Sequence, residues 1–168
     1  MAMHAMNKII REEYKMEGNR ERREAVQNDP AVREAILAPY REIVALVEHV
    51  RTEISNTKID VKAFIQKLTR LHKDAFEERF ASIADFTQDE VDILELMVMC
   101  GDGESDIKAC IEVYRNDLGI ELDDLPPDPL VDEIGALYPF GPVGEVIWNR
   151  GQARYKAALT KLRDGADQ

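Results

Sequence analysis

Three carboxylates at alternate positions, Asp102, Glu104 and Asp106, are the nearest this chain comes to side chains spaced for chemistry. They fill the first, third and fifth places of an EF-hand-like calcium loop, where oxygen ligands converge on a hard cation. The rest of that pattern fails. Ile107 stands where such a loop turns on glycine, and Val113 stands where a bidentate glutamate completes the shell. These acids are therefore expected to favour the N-terminus of the helix that follows, and neither a metal nor a cofactor is expected.

Histidine and cysteine give no stronger signal. The histidines are His4, His49 and His72, and no Glu-x-x-His pair is present to build a di-iron bundle. On two helices joined by a turn near Asn56, His49 and His72 fall roughly 12 Å apart at 1.5 Å per residue, too far to share a ligand. His72 instead comes level with Glu42, an ordinary interhelix pairing. Cys100 and Cys110 have neither a nearby histidine nor convincing basic neighbours to stabilise a thiolate, so both read as small buried hydrophobes, with Cys100 partly exposed before a glycine turn. No catalytic motif rises above background, and the chain is read as non-enzymatic.

The elements that carry these residues are helical throughout. Asn7 to Val26 is helix-compatible with an interruption at Gly18-Asn19, and Asn28-Asp29-Pro30 is an Asx cap with proline at the first helical position. Val32, Ile36, Tyr40, Ile43, Val47, Val50 and Ile54 then form one seam at helical spacing, with a bend expected at Pro39. A second stripe, from Val61 through Phe64, Leu68, Leu71, Phe76 and Phe80 to Ile83, predicts a long helix from Asp60 to Ile83, antiparallel to the first. Thr87-Gln88-Asp89-Glu90 is a capping box that opens a helix apolar on nearly every face, Val91 to Cys100. A break is expected at Gly101-Asp102-Gly103, a restart at Ser105, and a glycine C-cap at Leu118-Gly119-Ile120. Asp128-Pro129 caps a short helix to Leu137, and a last helix runs from Val143 to Leu162 with Gly151 permitting close approach. The fold class is all-α: a single irregular helical bundle of five to seven helices, residues 1–168 forming one domain around a long antiparallel pair.

Charge divides that domain. Residues 1–84 are close to neutral, residues 85–147 hold seventeen acidic side chains against two basic ones, and residues 148–168 end the chain with a basic bias. The acidic module disfavours direct nucleic-acid binding, because affinity for DNA rests on neutralising phosphates. This also decides against a helix–turn–helix reading of Val91–Leu118, whose would-be recognition helix carries Glu104, Asp106, Glu112 and Asp117. No apolar run is long enough for a membrane span, the first residues lack the features of a signal peptide, and two cysteines suit a reducing compartment. A cytoplasmic location without membrane attachment is expected.

The function expected is that of an acidic binding or regulatory protein, an inhibitor among the options, acting on the basic surface of a protein partner. Its partner-binding residues are Asp102, Glu104, Asp106, Glu121, Asp123, Asp124, Leu125 and Asp128, with Leu122, Leu125 and Leu130 as apolar anchors. The alternative is a structural subunit, homo-oligomeric or within a larger assembly, whose helix Val91–Cys100 is buried only on association. A third reading is an enzyme or small-molecule binder lined by Tyr138, Phe140, Trp148 and Tyr155.

Overall fold

The capping box forms as its residues dictate. The Glu90 N–H donates to the Thr87 hydroxyl at 3.2 Å, and the Thr87 N–H donates to the Glu90 carboxylate at 2.9 Å. The computed structural model describes residues 2–136 and 141–166, apart from the side chains of 2–5, 7–14, 16 and 166. Among the described residues the chain is all-α, with six α-helices and no strand. They are α1 (Ala2–Asn28), α2 (Pro30–Ser55), α3 (Val61–Phe76), α4 (Gln88–Val113), α5 (Pro129–Ala136) and α6 (Pro142–Ala166). A 3₁₀ turn at Ile83–Asp85 precedes α4, and a π-helical turn at Tyr114–Leu118 follows it.

Three expected punctuation marks are overturned. Gly18 and Asn19 lie inside α1, where glycine costs a helix only about 1 kcal/mol and does not end it. Gly101-Asp102-Gly103 lies inside α4, which runs unbroken to Val113. The glycine at 103 serves packing: a Cβ there would run into Val47 Cγ2. In the opposite sense, α3 stops at Phe76 rather than Ile83. Glu78 adopts φ 62°, the Arg79 N–H donates to the Asp74 carbonyl at 3.0 Å, and the Glu78 N–H donates to the Ala75 carbonyl at 3.1 Å. That is a Schellman closure built on glutamate instead of glycine. At 16 residues against the 26 of α2, α3 is shorter than the matched stripe expected for it. Phe76, Phe80 and Ile83 are consequently exposed, Phe76 at 82%, where the periodicity placed them inward.

The described helices assemble into two compact units, each discontinuous in sequence. The first comprises Met1–Arg41 and Ile107–Asp124, the second Glu42–Asp106 and Leu125–Gln168. Helices α2 and α4 each contribute one part to each unit. In the first unit Val26, Leu37, Leu118 and Ile120 form a small core, with Ile36, Tyr114 and Leu122 packed on it. The Tyr114 hydroxyl donates to the Ile36 carbonyl at 2.7 Å, and the Arg23 guanidinium donates to the carbonyls of Asn116 and Asp117. Gly119 closes the π turn in the left-handed conformation, φ 65°, as the Leu-Gly-Ile signature anticipates.

The second unit holds the larger core. Every apolar residue from Val91 to Cys100 is buried, together with Val47, Val50, Ile54, Phe64, Leu68, Ile134, Val143 and Ile147. The apolar helix therefore finds its cover without a second chain. α6 lies against α4 at Gly151, where an added Cβ would stand 2.5 Å from Val98 Cβ and 3.0 Å from the Glu95 carbonyl. Lys67 ties α3 to the start of α4 by an ion pair with Glu90 at 2.8 Å, its ammonium 5.1 Å from the Phe86 ring centre.

Candidate functional site

The acidic stretch is shared between the two units, and many of its carboxylates are engaged within their own unit. In the second unit Glu104 accepts from Arg51 Nη2 at 2.6 Å, with the Cys100 thiol 3.6 Å away. Arg51 Nη1 also donates to the Pro126 carbonyl at 2.6 Å. Burial opposes the charge on Arg51, but its bonds to Glu104 and Cys100 outweigh that and raise the guanidinium pKa. Cys100 is fully buried rather than partly exposed, and Arg51 is a basic neighbour that sequence reasoning did not find. Burial pushes its thiol up to about 11 despite that neighbour, which suits a packing role rather than a nucleophile.

Asp106 accepts the hydroxyl of Tyr155 at 2.6 Å. Burial and the Asp106 carboxylate raise the pKa of Asp102, with Lys156 and a hydrogen bond from Gln152 pulling the other way. Asp128 caps α5, its carboxylate accepting from the Leu130 and Val131 N–H groups at 2.9 and 3.4 Å. Leu125 is half-buried. Arg154 of α6 bonds to Asp92 at 2.5 Å and approaches Glu95 at 3.5 Å.

In the first unit Glu121 pairs with Arg115 at 3.1 Å, both side chains largely exposed. The extended stretch after Gly119 is held there by its main chain. The Tyr40 hydroxyl donates to the Asp123 carbonyl at 2.8 Å, and the side chains of Asp123 and Asp124 are exposed. Burial, then the fields of Asp123 and Asp124, raise the Tyr40 pKa. The eight residues singled out by sequence are thus three carboxylates in the first unit, Glu121, Asp123 and Asp124, and five residues in the second. Of the five, Asp102, Glu104, Asp106 and Asp128 are bonded within the fold.

A feature that sequence reasoning did not find is a groove of about 310 Å³ in the second unit. One face of α4 supplies Leu94, Met97, Val98, Gly101 and Glu104, α5 supplies Val131, Asp132 and Gly135, and α6 supplies Trp148. The spacing of the α4 residues was legible as a helical face, but the expected break at Gly101 hid it. Of the aromatic residues proposed to line a ligand site, Tyr138 and Phe140 lie outside the described residues. Tyr155 is buried and turned to Asp106, and Trp148, 46% exposed, edges the groove.

No family model, curated protein or solved structure matches the chain. Among the described residues no three His, Cys, Asp or Glu side chains are grouped to hold a metal ion, and no helix is long and apolar enough to cross a membrane. His49 pairs with Glu53 one helical turn on at 3.4 Å. His72 stands edge-on to the Phe76 ring with centres 5.6 Å apart.

Proposed function

We propose that this protein is a non-enzymatic binding protein that docks on the basic surface of a protein partner through carboxylates of its acidic stretch. The observation that carries the reading is the tether at Tyr40. Because the phenol holds the Asp123 main-chain carbonyl, the carboxylates of Asp123 and Asp124 are presented to solvent from a fixed backbone. A pre-ordered display loses less conformational freedom on binding than a loose acidic loop does. Exposed Glu112 and Glu121 belong to the same unit and carry the same sign. A regulatory or inhibitory role follows if the covered basic surface is one its owner needs. A cytoplasmic setting accords with this reading.

The burial of Val91–Cys100 favours this over a subunit whose apolar helix waits for assembly. The test is charge reversal at the exposed pair alone, Asp123→Lys with Asp124→Lys, because Asp128 caps α5 and its reversal would disturb the fold. Tagged wild-type and variant proteins are used to capture partners from native lysate at low and high salt. A stoichiometric basic partner that is lost at high salt, and lost by the variant, is expected. Undiminished capture by a correctly folded variant would overturn the reading.

A further inference from the structure

The groove of the second unit combines an apolar lining, one exposed carboxylate, Asp132, and an exposed indole. Gly101 and Gly135, both inside helices, line it. A Cβ added at Gly101 meets nothing within 4 Å, and one at Gly135 meets only Met97 Cε at 3.9 Å. Unlike Gly103 and Gly151, neither is required by a close helix crossing. Each costs its helix stability relative to alanine and leaves open space in the same groove. Among the described residues its charged lining is Asp132, which is exposed, and Glu104, which is already paired with Arg51 at 2.6 Å, and Trp148, 46% exposed, offers a π face.

We propose that this groove receives an arginine side chain, with apolar neighbours, from a segment of a protein partner. The space left open at Gly101 and Gly135 admits the aliphatic stem, and the exposed carboxylate of Asp132 supplies the negative charge, since Glu104 is already paired with Arg51. Trp148 offers the flat surface on which a guanidinium stacks better than an ammonium does. The carboxylate–guanidinium pairing adds a directional contact that an apolar groove alone lacks. The basic class of partner rests on the reading given under Proposed function; the groove, its residues and the guanidinium are argued from the second unit by itself.

Trp148 is the single tryptophan of the chain, so intrinsic fluorescence reports on this groove without interference. The full-length protein is titrated with a short capped peptide carrying arginine between leucines, and with analogues carrying lysine or glutamate in its place. A saturable change in emission is expected with the arginine peptide, a weaker one with lysine and none with glutamate. Gly101→Leu, which fills the groove, should abolish the response, and Asp132→Asn should weaken binding about tenfold. The Asp123→Lys, Asp124→Lys variant should titrate like wild type, so partner capture judges the acidic display while fluorescence judges the groove. No saturable response in wild type, an equal response to the glutamate peptide, or an undiminished response in Gly101→Leu would overturn the proposal. So would free arginine binding as tightly as the peptide, which would assign the groove to a small cation instead.

Discussion

Glu90 shows how a single acid can be diverted from the surface into the fold. It receives the Thr87 N–H and the Lys67 ammonium on the same oxygen while almost wholly buried. Burial would raise its pKa, but the bonds from Lys67 and Thr87 outweigh burial and leave it lowered. A carboxyl whose folded pKa lies below its unfolded value stabilises the protein above the unfolded value, and this stabilisation is lost as pH falls through the folded one. Glu90→Gln keeps a carbonyl oxygen for the cap and removes the charge. At pH 7 it should cost about 1.5 kcal/mol, a typical value for a hydrogen bond to a charged partner. Urea unfolding midpoints of wild type and variant should differ at pH 7 and converge in acid. Parallel curves down to pH 2 would show that the Lys67 pair adds nothing. The Arg51–Glu104 pair is a second such diversion, its members 13% and 27% exposed, and sequence separation conceals both partnerships. Acidic residues could be counted from the sequence, but which of them were already engaged could not.

Helices were legible where a local signal decides them and illegible where tertiary packing does. The Thr87 box, the Asp128 cap and the Gly119 terminator each act within a few residues, and each stands where the sequence placed it. The glycines of α4 misled because glycine has two uses, freeing the backbone and removing a Cβ, and Gly103 is there for the second. The end of α3 was missed because its left-handed residue is Glu78, which carries no glycine signature. That choice leaves a measurable opportunity. Glu78→Gly relieves the left-handed strain and should stabilise the protein by about 1 kcal/mol. Gly151→Ala, whose new methyl would meet the Glu95 carbonyl and Val98, should destabilise it by about 2 kcal/mol. Thermal unfolding of the two variants beside wild type checks both signs, and a destabilised Glu78→Gly would show that Glu78 earns its conformation through other contacts.

As a whole the molecule is all-α, as its periodicities indicate, but the charge boundaries at 84 and 147 are not the boundaries of its units. Charge follows sequence, whereas the units join distant segments through α2 and α4. The first unit has a small core around Val26, Leu37, Leu118 and Ile120, and the second buries nearly the whole of Val91–Cys100. Opening free energy follows buried apolar contact, so the two should open at different cost. Native-state hydrogen exchange read by mass spectrometry is expected to show amides of residues 107–113 exchanging well before those of 91–100, although both belong to α4. Equal protection along α4 would mean that the chain opens as one cooperative body.

The interleaving of segments also sets an order of events during synthesis. Residues 1–41 reach the ribosome's exit well before 107–124, yet the first unit cannot be completed until 107–124 have been made. The second unit waits longer still, for Leu125 onward and the arrival of α6. The apolar stretch Val91–Cys100 must therefore spend part of its life outside the tunnel before Val143, Ile147 and Gly151 emerge to cover it. Nascent chains halted with Cys100 already outside the tunnel and Val143 still inside it should be the species that engages chaperones, and chains released with α6 in place against α4 should not.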